Sequence, residues 1–252
     1  MNIDYPSQNQ IDDLRALWRE AFGDDDAFLD MFYASAYAPH RCRCMLDGDR
    51  VAAVLYWFDC TCDGQKLAYV YAVATDPVYR NQGICRRLMA DTHPHLKEQG
   101  YAGAMLLPQD PGLRQMYGKM GYLPCTNIGE RIFQPAEKPA TLTELTADDY
   151  ARLRKTMLPP GSVIQEQENL SYLANLSRFY RIEDTIAALF LDGNRVICYE
   201  LLGDITKAPE IIRTFGALDG LFRFPGTEKA FTMYLPLVEN CPKPRYFAFA
   251  FD

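Results

Sequence analysis

The stretch Val73-Ala74-Thr75-Asp76-Pro77-Val78-Tyr79-Arg80-Asn81-Gln82-Gly83-Ile84-Cys85-Arg86-Arg87-Leu88 constrains this chain more than any other. The apolar run Leu67–Val73 before it, rich in β-branched and aromatic side chains, reads as a buried strand. After it, Ile84, Leu88 and Met89 recur at helical spacing. Between them lies a short turn carrying arginines, two amide side chains and one glycine. A strand that runs into such a turn and opens a helix is suited to an anion. The first N–H groups of the helix lack intrahelical acceptors, and its dipole favours negative charge there. Gly83 has no Cβ, so the backbone can approach a bulky anion closely. Two named phosphate motifs do not fit. No Gly-Lys-Ser/Thr follows Gly83, and the three spaced glycines of a dinucleotide fingerprint are missing.

Composition bounds the rest. The chain has 252 residues, 48% of them apolar, enough for two modest domains or one large one. A formal net charge of −7 argues against a general nucleic-acid or anionic-membrane binder. No apolar run approaches transmembrane length, and Met1–Gln10 is polar without a basic-then-apolar leader. A soluble cytoplasmic protein is expected, with the eight cysteines reduced. Cys42-x-Cys44 and Cys60-x-Cys62 invite a zinc reading, but ordinary buried thiols explain them more simply. No metal is expected.

Taken in order, Ile11, Leu14, Leu17, Trp18, Ala21 and Phe22 form one stripe of a helix that Gly23 ends. Asp24 is expected to cap a second helix bearing Phe28, Met31 and Phe32. Strands Arg41–Leu46 and Val51–Phe58 flank a hairpin turn at Asp47-Gly48-Asp49, and a second turn at Asp63-Gly64 leads into Leu67–Thr75. The next helix should run from Gly83 to about Glu98, kinked or broken at Pro94. A short strand, Ala102–Leu107, precedes a helix capped by Asp110 with Pro111 at its first position. Leu113, Met116, Tyr117 and Met120 share one face of it. Arg131–Phe133 reads as the last strand of this half, and 134–139 as a linker.

The second half echoes the first. Thr146 and Asp149 open one helix in a capping-box-like start, and Leu170, Leu173 and Leu176 mark another. Leu191-Asp192-Gly193-Asn194-Arg195-Val196 then mirrors Leu46-Asp47-Gly48-Asp49-Arg50-Val51. Strand-forming runs come after it at Ile197–Leu202, Ala230–Leu237 and Tyr246–Phe251, with a short helix near Glu210–Phe215. No Arg-x-x-Gly-x-Gly-like turn occurs in this half.

Arg80-x-x-Gly83-x-Cys85, after a Val-Ala-Thr-x-Pro strand end, resembles the acyl-CoA pyrophosphate loop of the GNAT (Gcn5-related) N-acetyltransferases, Arg/Gln-x-x-Gly-x-Gly/Ala. Cys85 departs from the small residue usual at the third place. Leu113-x-x-x-Tyr117-x-Lys119-x-Gly121-Tyr122 resembles the family helix that ends in Tyr-x-x-x-Gly-Phe/Tyr. The resemblance implies an α/β (layered α+β) GNAT fold: a mixed, mostly antiparallel sheet flanked by helices. Residues 1–136 would form the acyl-CoA-binding catalytic domain and 140–252 a degenerate GNAT-like copy. The Val-Ala-Thr-x-Pro-x-Tyr-Arg and Leu-Pro-x-x-x-x-Leu-x-x-x-Tyr segments, with the second half, are similar to the acetyltransferases related to the enhanced intracellular survival protein. Those carry a sterol-carrier-like domain after the tandem and use its terminal carboxylate as base. The sequence stops at Asp252 without that domain, so neither base nor substrate range is carried over.

The resemblance also assigns chemistry to particular residues. Val73, Ala74 and Thr75 would offer backbone to the pantetheine arm and polarise the thioester carbonyl. Asn81, Gln82, Gly83, Ile84, Cys85 and Arg86 would hold the pyrophosphate, with charge from Arg80 and Arg86. Tyr117 would be the general acid that protonates the leaving thiolate, its plain alternative being a core aromatic. Acetyl-CoA is the expected co-substrate, and the acceptor a small-molecule or peptide amine, with no nucleic-acid or membrane partner and a monomer or homodimer as the assembly. No general base stands out. Glu20, Asp24 and Asp59 read as surface acids, His93 and His95 as surface groups, and Tyr69 and Tyr71 as walls of an acceptor cleft. Cys85, at a helix start that lowers thiol pKa, would sit at the pyrophosphate end, away from the thioester. Two rivals remain: a non-catalytic acyl-CoA sensor or scaffold, and a structural protein whose loop has lost CoA through Cys85.

Overall fold

In the computed structural model, which describes residues 1–251, the chain forms two compact units. One comprises Met1–Leu123 with Met233–Pro242, the other Pro124–Thr232 with Lys243–Asp252. This division falls differently from the expected 1–136 and 140–252. The physical reason is strand pairing: a segment far along the chain completes the first sheet, and Asn127–Phe133 belongs to the second.

In the first unit β1 (Asn2–Asp4), β2 (Cys42–Asp47), β3 (Arg50–Cys62) and β4 (Gln65–Thr75) are successive antiparallel neighbours. Next to β4 and parallel to it lies β5 (Gly103–Leu106), whose far edge pairs antiparallel with Met233–Pro236. Helix α1 (Ile11–Phe22) buries Leu14, Leu17 and Trp18 and ends where Gly23 turns left-handed at φ 79°. For α2 (Asp26–Ser35) the cap is Asp25, which accepts from Phe28 N at 2.8 Å. The expected cap, Asp24, instead accepts from the Trp18 indole at 2.8 Å. Helix α3 (Ile84–Glu98) passes through Pro94 without a break, and Asp110 caps α4 (Pro111–Gly118) through Leu113 N at 2.8 Å.

Both faces of this sheet are covered. Leu88, Met89 and Leu96 of α3 pack on Leu55, Trp57, Val70 and Leu106. Across the sheet, Trp18 lies 4.6 Å from the Phe32 ring, 5.3 Å from Tyr56 and 5.8 Å from Tyr71. Burying such side chains contributes roughly 1.5–3 kcal/mol each. His93, on α3, is half-buried and bonded to the Tyr122 hydroxyl at 3.0 Å, while His95 meets the Tyr5 hydroxyl at 2.6 Å. Neither is the free surface group expected from sequence. Burial pushes the His93 imidazole down to about 4.

In the second unit the strands run Lys229–Ala230, Asn127–Phe133, Asp219–Pro225, Arg195–Leu202, Thr185–Asp192, Arg178–Ile182 and Thr143–Leu145 across one sheet. Helices α5 (Ala147–Met157, capped by Thr146), α6 (Glu168–Leu176) and α7 (Ala208–Thr214) complete it. From Thr143 on, apart from the two-residue strand Ile164–Gln165 between its helices, the order repeats the first unit: strand, two helices, three antiparallel strands, helix, parallel strand. The six-residue echo is displaced, however. Its hairpin joins Thr185–Asp192 to Arg195–Leu202, the last two of this unit's three successive antiparallel strands, whereas Asp47-Gly48-Asp49 joins the first two of the corresponding three in the other. Ala230–Leu237 is not one strand; it divides into Lys229–Ala230 and Met233–Pro236, in different sheets. Tyr246–Phe251 forms no strand, only a bridge between Tyr246 and Ser162.

A buried ion pair sits at the centre of this unit. Glu200 is wholly buried; Arg154 Nε lies 2.6 Å from its Oε2 and Nη2 3.0 Å from its Oε1. The Tyr150 hydroxyl donates to the same carboxylate at 2.9 Å. Removing one partner strands a buried charge, so Glu200→Ala should cost about 3–5 kcal/mol in urea unfolding. His93 gives a second expectation. Its folded pKa is depressed, so its stabilising share is complete above about pH 6.5 and is lost as pH falls toward about 4. A His93→Gln variant should show a shallower acid limb of thermal stability than the native chain.

Candidate active site

Strand β4 is paired unequally on its two edges. Toward β5 the register covers only Leu67–Tyr69 with Gly103–Met105. From Val70 onward no strand among the described residues pairs with that edge. Toward β3 the pairing continues, with one irregularity: Tyr71 faces Tyr56 and Ala74 faces Val54, so Ala72 and Val73 share Leu55. Ala72 takes φ 47° at this bulge. A bulge re-aims the strand and leaves backbone groups unpaired. A free strand edge is where an extended, amide-bearing molecule can bond main chain to main chain.

The strand then enters a tight turn. Asp76 Oδ1 accepts from Val78 N at 2.9 Å, and Pro77–Tyr79 makes one 3₁₀ turn. Arg80 Nε donates to Thr75 O at 3.0 Å, which holds the guanidinium against the strand end. Gly83 takes φ 75°, and a Cβ added there would meet nothing within 4 Å. Glycine is thus needed for the backbone angle, and open space lies in front of it. The first-turn N–H groups of α3, from Ile84 to Arg86, have no helical acceptor.

These features line one cleft of about 490 Å³. Val73, Thr75, Arg80, Asn81, Gly83, Ile84, Cys85 and Arg86 form one wall. Ala74, buried in the sheet, and Gln82, whose amide donates to Val78 O at 2.8 Å, do not line it. The opposite wall is α4, with Leu113, Met116, Tyr117 and Met120. Tyr79 also lines the cleft and was not singled out from sequence; its place directly before Arg80 was the available signal. An apolar trough ending in two arginines and free N–H groups fits a diphosphate on an apolar-to-amide arm.

Tyr117 is 6% exposed and packs edge-to-face on Tyr122 at 5.8 Å. Burial, with a smaller contribution from nearby Cys85, raises its phenol far above the ordinary value. Cys85 departs from expectation: burial pushes the thiol up to about 11, and outweighs the lowering a helix start favours. It is a neutral thiol at pH 7. The surface acids stay outside the cleft. Asp24 bonds Trp18, and Asp59 lies 3.3 Å from Lys66 Nζ and accepts from the Tyr101 hydroxyl. Tyr69 is buried and stacks with Phe58, and Tyr71 sits among the rings around Trp18. Cys42, Cys44, Cys60 and Cys62 are buried thiols, and among the described residues no three His, Cys, Asp or Glu side chains gather as metal ligands.

Residues 2–125 match the family model described as an acetyltransferase (GNAT) domain. No curated protein is matched. Among solved structures, a GCN5-related N-acetyltransferase from Kribbella flavida is 17% identical with a TM-score of 0.72, over 92% of this chain and 70% of that one. Eis1 from Mycobacterium abscessus is 11% identical with a TM-score of 0.68, over 94% and 74%. A tandem GNAT protein from the clavulanic acid biosynthesis pathway is 12% identical with a TM-score of 0.56, over 95% and 100%. At these identities the likeness is one of fold. No helix among the described residues is long and apolar enough to cross a membrane. For the turn itself, Gly83→Ala should cost about 1–2 kcal/mol of stability through φ alone, with no clash to relieve, as read by urea unfolding.

Proposed function

We propose an acyl-CoA-dependent N-acyltransferase, a reading supported by the match of residues 2–125 to the GNAT acetyltransferase model and by the fold the whole chain shares with a tandem GNAT protein. Acetyl-CoA is the donor and a primary amine, on a small molecule or peptide, the acceptor. The observation that carries this reading is continuity: the free edge of β4 runs directly into the Gly83 turn, and both line one cleft with Tyr117 opposite. The protein would work in the cytoplasm as a monomer or homodimer, with the first unit catalytic.

Acetyl-CoA supplies an acyl group activated as a thioester. The β4 backbone between Val70 and Thr75 pairs with the amides of the pantetheine arm, and an N–H there polarises the thioester carbonyl. Arg80, Arg86 and the N–H groups from Asn81 to Arg86 hold the pyrophosphate. The acceptor nitrogen attacks the carbonyl carbon directly, forming the C–N bond as the C–S bond breaks. Tyr117 gives its proton to the departing sulfur, while the proton the acceptor nitrogen sheds passes to solvent water, from which Tyr117 is reprotonated. Its raised pKa suits this role, because the hydroxyl stays protonated through the working range.

Calorimetric titration with CoA and acetyl-CoA tests the binding half of the proposal. The native chain should bind both, and Arg80→Ala with Gly83→Asp should abolish binding; no binding by the native chain at millimolar ligand would defeat it. Tyr117→Phe tests the chemistry. Turnover measured by thiol release should fall on the order of 10²-fold with CoA affinity unchanged. A non-catalytic CoA sensor would lose nothing.

A further inference from the structure

The turn that precedes Arg80 is held from outside itself. The Tyr79 hydroxyl donates to Asp47 Oδ2 at 2.9 Å, across to the hairpin between β2 and β3. From the other side of the same hairpin, Arg50 Nη2 reaches Asp76 Oδ2 at 2.7 Å. The Arg50 guanidinium carbon also lies 5.6 Å from the centre of the Tyr79 ring. Asp76 thereby bridges two tasks, since its other oxygen caps the turn through Val78 N at 2.9 Å. Both ends of Pro77–Tyr79 are fastened to one hairpin, immediately before the residues that line the cleft.

We infer that Asp47 and Arg50 are positioning residues for the acyl-CoA donor: they clip the Pro77–Tyr79 turn so that Arg80 and the N–H groups after it are set before the donor arrives. The inference rests on the proposed acyltransferase reading. Its physical basis is the cost of ordering a loop at binding, which a turn fixed in advance avoids. Neither tie is a strong contributor to folding. Arg50 is more than half exposed, and exposed ion pairs contribute little to stability. Removing the clip therefore acts on donor binding more than on the fold. Asp47 and Arg50 close no contact with the cleft themselves, so the chemistry at Tyr117 is left in place.

The test is a set of variants, Asp47→Ala, Arg50→Ala, their combination and the conservative Asp47→Asn, measured by CoA calorimetry, by KM and kcat for acetyl-CoA, and by thermal unfolding. Each tie is a single hydrogen-bonded pair, so each alanine variant should raise CoA Kd and acetyl-CoA KM about 3-fold and the combination about 10-fold. The kcat at saturating donor should stay at the native value, and the thermal midpoint should move little. Asp47→Asn keeps an oxygen to accept from Tyr79 and should bind CoA as the native chain does. Native-like donor affinity in the combined variant would overturn the clip while leaving the acyltransferase reading intact. So would a parallel loss of kcat and thermal midpoint that Asp47→Asn fails to rescue, which marks a merely structural role. No CoA binding by the native chain would remove both.

Discussion

Hydrogen bonding along one edge of β4 stops at Tyr69, and the cleft exists because of that. The cause is a mismatch of length: β4 has 11 residues and β5 has 4. Pro108, two residues past the end of β5, has no N–H to continue a ladder. The chain turns away to the Asp110 cap instead, and α4 comes to face the unpaired edge with an apolar side. The bulge at Ala72 and Val73 tilts the strand end further. Were β5 long enough to pair with all of β4, the sheet would be continuous and no trough would lead to Gly83.

The second unit keeps this frame but follows it with a different turn. Its fourth strand carries the same kind of irregularity, with Glu200 opposite Ala188 and Cys198 opposite Leu189, so that Tyr199 is the extra residue. Its parallel neighbour pairs only with Arg195–Cys198. Beyond the strand the two units part. The connection at Gly203–Lys207 is capped by Asp204, brings no arginine, and leads to a helix of 7 residues where α3 has 15. On the fourth strand itself Glu200 is tied to Arg154 and Tyr150, so the backbone irregularity that borders a cleft in one unit is built around an internal ion pair in the other.

The parts legible in sequence are those decided by neighbours a few residues apart. The strand–turn–helix around Gly83, the Asp110 cap and the Thr146 cap depend on local spacing and hydrogen bonding, and all three form. Within Asp24-Asp25-Asp26 every residue is a competent cap; the Trp18 indole engages Asp24 and Arg19 engages Asp26, which leaves Asp25 to the helix end. The displaced echo has a similar origin: Asp-Gly turns mark hairpins in general, not one particular hairpin. Glu200 left a trace in sequence, an acid inside the run Cys198-Tyr199-Glu200-Leu201-Leu202, but its partner is 46 residues away. The Cys85 thiol could be placed at a helix start, whereas its burial is set by packing that sequence spacing does not contain.

The strand Met233–Pro236 closes the first sheet more than a hundred residues after the strand it joins. Gly103 is fitted to it: a Cβ at that position would lie 2.6 Å from the Tyr234 ring. During synthesis, β1 to β5 emerge well before their last neighbour does. Through that interval the nascent chain carries an open β5 edge, the kind of surface on which chains pair wrongly with one another. The cost of bringing the two ends together must be met before the contact is gained, which slows closure. Residues 2–125 alone, though they carry the whole Gly83 turn, would retain that open edge permanently. The boundary of the folding unit is therefore later than the boundary of the family match, and a fragment cut to residues 2–125 would be prone to associate through β5.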